Sequence, residues 1–312
     1  MAFWDDYRRS LKPIEVEEPV DRFLHRPLAY VLARALLPTP ISPNLVTLGS
    51  ILLGVTSAVL LFRGVPWGFQ LAALCLFLSA VFDCADGQLA RLRKSSSALG
   101  RMLDGMADLL VIAVIVVAGA WVIWDRYAER PVYAGVWLLL VAVTVVTSSF
   151  HTAMYDHYKN VYLRMTHPAY REGEAYTTAL ERFRARRGEP FYVRLAWPFY
   201  LFYSKRQEAY VAAFDHTSAR LGELPPYDAQ GAAVYRNCAL PLMRVWRGWF
   251  GFGSLVFGTA VSLAFEGPEY YLLFRAVVLN AVFYGYLRPE QRRASRNAFD
   301  LIGARSGSAS QS

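Results

Sequence analysis

The stretch FDCADGQLARLRKSSSALGRMLDGMAD, from Phe82 to Asp108, sets the carboxylates Asp83, Asp86, Asp104 and Asp108 into or beside two strongly apolar segments. An ionised side chain costs about 2.5–3.5 kcal/mol at the centre of a membrane helix by insertion scales, so four together require compensation. Divalent cations held by carboxylate oxygens supply it, and such ions beside a lipid phase point to chemistry on a phosphate. Asp83 and Asp86 are spaced i, i+3 and Asp104 and Asp108 i, i+4, so each pair shares one helix face. The segment between them, with Lys94 and Ser95 to Ser97, reads as a short cytoplasmic turn joining two antiparallel helices. Folding at that turn brings all four carboxylates to one level, a site for two hard cations. Gly87, Ala90 and Gly100 leave room for a ligand to approach the backbone. Arg91 offers a planar fork to phosphate, or else anchors its helix end to lipid headgroups.

The rest of the chain has the composition of a membrane protein. It is 55% hydrophobic and 19% charged over 312 residues, and its apolar residues gather into long runs. Segments at roughly 45–63, 69–90, 104–124, 133–154, 240–265 and 270–287 each approach the ~20 residues that cross a hydrocarbon core. The expected fold is all-α and integral to the membrane, with six transmembrane helices preceded by a cytoplasmic interfacial helix. So few charges between such runs make buried core helices of a soluble protein the weaker reading. Most Lys and Arg lie before Asn44, in the 91–103 turn, in 155–238 and after Leu287. The positive-inside rule therefore puts both termini and the acidic turn in the cytoplasm of a cytoplasmic (inner) membrane. The opening MAFWDDYRRS has acidic residues where a leader peptide needs basic ones, so no cleaved leader is expected. Net charge +8 fits loops meeting anionic lipid, and no separate basic stripe points to nucleic acid. Cys75, Cys84 and Cys238 have no CxxC or Cys/His metal spacing; Cys75 and Cys84, in an apolar helix, are read as small buried thiols, and no disulfides are expected.

The pattern Asp83-x-x-Asp86-Gly87-x-x-Ala90-Arg91, eight residues, then Gly100-x-x-x-Asp104-x-x-x-Asp108 resembles the complete motif of the CDP-alcohol phosphotransferases. The resemblance extends to the membrane helices and the preceding arm. It implies two metal ions, Mg²⁺ or Mn²⁺, held by Asp83, Asp86 and Asp104, with Asp108 both a ligand and the general base for an acceptor hydroxyl. It implies that Asp83, Gly87, Ala90, Arg91 and Gly100 contact the CDP moiety. It also implies a CDP-linked donor, an acceptor alcohol, membrane lipids around the protein, and a homodimer.

Five regions follow. Residues 1–44 form a cytoplasmic arm in which Leu28, Val31, Leu32, Ala35 and Leu36 make an apolar helix face, with Arg22, Arg26 and Arg34 elsewhere on the wheel. Asn44 either caps the first span or, as the resemblance implies, lies near the active site. Residues 45–154 hold the first four spans and the motif. Residues 155–238 form a cytoplasmic or interfacial insert, opened by His151, Tyr155 and Lys159 along one helix face and closed off from spanning by Pro198. That face is read as solvated or facing a partner. Residues 239–288 hold spans five and six, where Arg244, Arg247 and Arg275 face a polar cavity or snorkel. Arg244 and Arg247, with Asn44, are candidate contacts for the acceptor or its phosphate. Residues 289–312 read as a basic, disordered tail.

The expected activity is transfer of a substituted phosphate from a CDP-alcohol, foremost CDP-diacylglycerol, to an acceptor hydroxyl in phospholipid synthesis, releasing CMP. The alternative within the family is a CDP-choline or CDP-ethanolamine:diacylglycerol phosphotransferase. An alternative of another class is a metal-binding transporter, although transporters usually set their ionisable groups near the midplane.

Overall fold

The computed structural model describes residues 6–8, 11, 13–95, 98–170, 176–185, 191–215, 217–218 and 224–309, with the side chains of 98–103, 191–193, 195–196 and 304–309 left out. Among the described residues every regular element is a helix. A π-helical turn at Asp21–His25 leads into α1 (Arg26–Leu36), followed by α2 (Pro43–Arg63), α3 (Gly68–Leu92), α4 (Ala98–Arg126) and α5 (Pro131–Thr166). Then come α6 (Tyr176–Ala185), α7 (Phe191–Phe214), α8 (Ala229–Trp249), α9 (Phe252–Ala264) and α10 (Pro268–Leu273). Two π-helical stretches, Phe274–Leu279 and Phe283–Leu287, carry α10 onward into α11 (Arg288–Ala309).

Among the described residues, five stretches are long and apolar enough to cross a membrane: Pro43–Arg63, Gly68–Leu92, Asp104–Arg126, Pro131–Thr166 and Pro268–Gly303. The single span expected at 240–265 is instead divided into α8 and α9 around Phe250 and Gly251. The reason is a competing acceptor. The Glu18 carboxylate takes hydrogen bonds from the backbone N–H groups of Gly253 (3.3 Å) and Ser254 (2.8 Å) and from the Ser254 hydroxyl (3.0 Å). In an unbroken helix those N–H groups would bond the carbonyls four residues back. Burial, reinforced by the Asp21 carboxylate, pushes the Glu18 carboxyl up to about 7.

The chain forms two compact units. The first joins Met1–Ser148 to Phe252–Leu279. Its core is α2, α3, α4 and α9, meeting through Ala58, Leu61, Ala72, Ala73, Leu76, Val111, Ile115, Ala118, Val256 and Ala260. Small residues let helix axes approach, and hydroxyls then bond across them. Ser50 and Ser79 donate reciprocally to each other's carbonyls at 2.9 Å, and Ser57 donates to the Ala72 carbonyl at 2.7 Å. At Gly54 a β-carbon would fall 2.7 Å from Cγ1 of Val111, so only glycine permits this contact. At the end away from the acids, Arg126 grips Glu269 at 2.7 and 2.9 Å, and Gln70 donates to Glu266 at 2.9 Å.

The arm belongs to this unit, and one face of its helix packs beside α3. Leu28 and Val31 are exposed, whereas Ala29, Tyr30, Ala33 and Arg26 are buried. Ala29 and Ala33 pack beside Val46, Val81, Ala85 and Leu89. Arg26, read as lying on the polar side, is satisfied inside by Glu17 at 2.9 Å. Of the apolar stripe, Leu32 and Leu36 pack partly against the same cluster, while Leu28, Val31 and Ala35 are left outward.

The second unit joins Ser149–Gly251 to Asn280–Ser312. Its centre is aromatic: Trp246, Phe250, Phe283 and Tyr158 are buried, and the His151 ring lies 4.5 Å from that of Phe283 and 5.0 Å from that of Phe250. His151 and Tyr155 therefore do not form a solvated face. Helix α5 runs to Thr166, beyond the expected end of the fourth span at 154, and α7 continues through Pro198. The tail expected to be disordered from 289 is helical to Ala309. Gln291, Ser295 and Ala298 are buried along α11, with Gln291 accepting from the Trp246 indole at 2.9 Å.

Gly54→Ala forces a methyl group against a branched side chain that cannot swing away. We expect a loss of about 1–3 kcal/mol, read as a lower unfolding temperature in detergent, with Val111→Ala in the same chain restoring part of it.

Candidate active site

Helix α3 ends in Asp83, Asp86, Gly87, Ala90 and Arg91, and α4 opens with Gly100, Asp104 and Asp108. The turn between them includes Lys94 with φ 55°. One carboxylate oxygen from each of Asp83, Asp86 and Asp104 lies within 4.8 Å of the others. Asp104 shares a hydrogen bond with Asp83, and Asp108, one turn further along α4, lies near enough to act on Asp83 electrostatically. Asp86 is 5% exposed, while Asp83, Asp104 and Asp108 are half-buried.

An all-oxygen, all-anionic donor set of this size fits a hard divalent cation and little else. Space for a ligand is present beside it. The atoms nearest a β-carbon added at Gly87 are those of the Arg91 guanidinium, from 3.5 Å, and one added at Gly105 would meet nothing within 4 Å. Arg91 thus folds back along α3 toward Gly87 and the acids. Ala90 is half-buried one turn beyond Asp86. Gly100 is helical, and its surroundings lie outside the described residues.

Two further residues escaped the reading of the sequence. The Thr47 hydroxyl donates to Oδ2 of Asp86. This sets the first turns of α2, whose N-terminus carries positive partial charge, beside the acids. The cap of α2 is Ser42, whose Oγ accepts from Leu45 N at 3.3 Å, with Pro43 first in the helix. Asn44 is therefore not the cap; it is exposed, one turn before Thr47 on the same side. The signal for Thr47 was its i, i+3 spacing from Asn44 in SPNLVT.

The second is Arg93, whose guanidinium reaches the carbonyls of Ile41 (2.5 Å), Thr39 (2.7 Å), Leu36 (2.8 Å) and Leu37 (3.2 Å). Those carbonyls belong to the end of α1 and the Pro-rich connection to α2, where helix geometry supplies few backbone donors; that of Leu36 also accepts from Thr39 N at 3.0 Å. One side chain from the end of α3 thus fixes where α2 begins.

Arg244 and Arg247 lie on α8 in the second unit, the first exposed and the second half-buried. Arg275 is 2% exposed and donates to Ser148 Oγ at 2.8 Å and Tyr271 Oη at 3.1 Å, so it neither snorkels nor lines an open cavity.

A family model for CDP-alcohol phosphatidyltransferase matches residues 40–178. The matched residues make up less than half of the chain. The matched segment contains α2 through α5, and with them Thr47 and every acid of the motif. Among curated proteins, cholinephosphotransferase 1 of Gallus gallus is 37% identical over 92 residues, 27% of this chain and 27% of that protein. The CDP-diacylglycerol–glycerol-3-phosphate 3-phosphatidyltransferase of Cereibacter sphaeroides is 40% identical over 80 residues, 25% of this chain and 36% of its own length. The phosphatidylinositol phosphate synthase of Mycobacterium bovis is 28% identical over 117 residues, 37% of this chain and 52% of that enzyme. The chain thus spans between 27% and 52% of the length of these relatives. The phosphatidyltransferase match begins after α1, so Arg93 ties the family segment to an arm outside it.

Arg93→Lys keeps the charge and loses the fork, which the planar geometry makes a severe change. Faster amide hydrogen exchange across 36–42 is the expected result, with α3 before Ala85 unchanged; equal exchange in wild type and variant would remove the clamp.

Proposed function

We propose that this protein is an integral-membrane enzyme that transfers a substituted phosphate from a CDP-alcohol to an acceptor hydroxyl and releases CMP. The observation that carries the reading is the convergence of Asp83, Asp86 and Asp104 oxygens within 4.8 Å, beside the uncovered backbone at Gly87. When bound, a pair of Mg²⁺ or Mn²⁺ ions would neutralise the diphosphate and stabilise the departing CMP. Asp83, Asp86, Asp104 and Asp108 are the residues that would hold them. Thr47 orients Asp86, and Arg91 faces the phosphates across Gly87. Gly100, Ala90 and Gly87 border the cytidine. Asp108 accepts the proton of the acceptor hydroxyl, whose oxygen forms a bond to the β-phosphorus. The bond from that phosphorus to the bridging oxygen breaks, and its electron pair leaves with CMP. A carboxylate is a weak base for an alcohol, so orientation must supply much of the acceleration.

The acids face the cytoplasm in this reading, with both termini, and the Arg126–Glu269 end faces the opposite side. Six crossings remain the proposal. Helix α9, 13 residues long, stands for most of the fifth; its ~20 Å falls short of a ~30 Å core because it begins at the Glu18 carboxylate. The outward Leu28 and Val31 of α1 lie against lipid at the interface. CDP-diacylglycerol is the favoured donor, with a small polar acceptor that Asn44, Arg244 or Arg247 contacts, and the working form is a homodimer. The similarity to a cholinephosphotransferase over the motif favours a second reading, transfer from CDP-choline or CDP-ethanolamine to diacylglycerol.

Purified wild type and Asp108→Asn, each with Mg²⁺ or Mn²⁺, are to be offered CDP-diacylglycerol, CDP-choline, CDP-ethanolamine or CDP-inositol against pooled alcohols and diacylglycerol. CMP should appear from one pair in the wild type and fall at least ~10²-fold in the variant, as loss of general base catalysis requires. No CMP from any pair, together with no metal-dependent CDP binding, would falsify the enzyme reading and favour a transporter.

A further inference from the structure

Behind the acids, on the side of α3 that meets the arm, a second group of metal-binding residue types comes together. Asp21 opens the π-helical turn, His25 closes it, and Cys84 sits on α3 between Asp83 and Asp86 in sequence. One ligand atom from each lies within 4.8 Å of the others. Ligands at about 2.0–2.3 Å from a tetrahedral ion stand roughly 3.3–3.8 Å apart, so side-chain adjustments of about 1 Å close the set.

The state of His25 points to a ligand independently of that clustering. Its side chain is 1% exposed, and its ring lies 5.3 Å from that of Phe77 and 6.1 Å from that of Phe257. Nδ1 is 2.8 Å from Oδ1 of Asp21, while Nε2 is fully buried with no hydrogen-bond partner. Buried polar atoms are almost always satisfied, so a ring with one enclosed and unpartnered nitrogen has unmet bonding capacity; an ion held by Asp21 and Cys84 takes the ring at Nδ1 in place of the Asp21 contact, or at Nε2 once the ring has turned. The arm sets three carboxylates, Glu17, Glu18 and Asp21, against one buried cation, Arg26, which pairs with Glu17 and also acts electrostatically on Cys84 and Asp21. Asp21 retains 16% side-chain exposure, which gives an ion a way in. Gly253 is part of the enclosure, because a β-carbon there would fall 2.3 Å from Oδ1 of Asp21.

We propose that Asp21, His25 and Cys84 form a binding site for a borderline-soft transition-metal ion, with Zn²⁺ the best chemical fit. A nitrogen, sulfur and oxygen set selects such ions, whereas the all-carboxylate site selects Mg²⁺ or Mn²⁺. Binding displaces the thiol proton to solvent and forms a metal–sulfur bond. The ion then ties the arm to α3 directly behind Asp83 and Asp86. This inference stands apart from the phosphotransfer reading and does not need it.

The test is titration of the full-length, chelator-stripped protein in detergent with Co²⁺, read by absorbance. Thiolate ligation gives a charge-transfer band that an all-oxygen site cannot produce. The band should saturate at one equivalent, be displaced by Zn²⁺, and persist in Asp104→Asn. It should vanish in Cys84→Ser, and His25→Gln should weaken Co²⁺ binding at least ~10-fold. Absence of the band in the wild type overturns the proposal. So does a band that survives Cys84→Ser, which would assign it to Cys75 or Cys238. If Cys84→Ser fails to fold, the wild-type titration and His25→Gln still decide, because a band indifferent to His25 also overturns the site.

Discussion

The close packing of α2 against α3 and α4 is the constraint on which the rest of the first unit depends. Lipid offers helices no hydrophobic reason to associate, so contact must come from shape and from hydrogen bonds between them. Gly54 and the reciprocal Ser50–Ser79 pair provide both. Because those contacts lie one and more turns below the acids, they set the angle at which α3 and α4 deliver Asp83, Asp86 and Asp104 to one place. The same approach carries Thr47 to Asp86. Packing along the helices thereby determines carboxylate geometry at their ends.

Around that core, long-range polar contacts do what the local sequence cannot. Arg93 collects carbonyls that the Pro-rich connection leaves without partners and so sets the start of α2. Glu18 takes the N–H groups of Gly253 and Ser254 and so ends one helix and begins another. Each is a charged side chain satisfying backbone groups that would otherwise be buried without partners, and such groups are costly where water is scarce. The arm is consequently built into the unit beside α3, with Arg26 and His25 inside it rather than facing headgroups.

The acids of the motif were legible because their periodicity survives in any helical hairpin: i, i+3 and i, i+4 spacing fixes a shared face whatever the tertiary fold. Hydrophobic length likewise revealed the first four spans, since lipid demands it of each helix separately. The arm was legible in part, because an apolar stripe does not say which of its residues protein covers. Leu28 and Val31 turned outward, while Leu32 and Leu36 share the protein contact with Ala29 and Ala33, which are too small to register as a stripe. The His151 face and the tail misled for a related reason: polar residues such as Gln291 and Ser295 read as solvated until a partner such as Trp246 is brought to them.

The sequence by itself determined an all-helical chain with long apolar helices and a four-carboxylate motif at the joint of two of them, on which the proposed chemistry rests. Those properties are local, carried by spacing, length and residue type. Only the tertiary structure decided that Thr47 holds Asp86, that Arg93 positions α2, that Glu18 divides the 240–265 run, and that His25 and Asp21 meet Cys84. Each of those joins residues 39 or more positions apart, and no periodicity encodes a contact across such a distance; it exists only once the helices have packed.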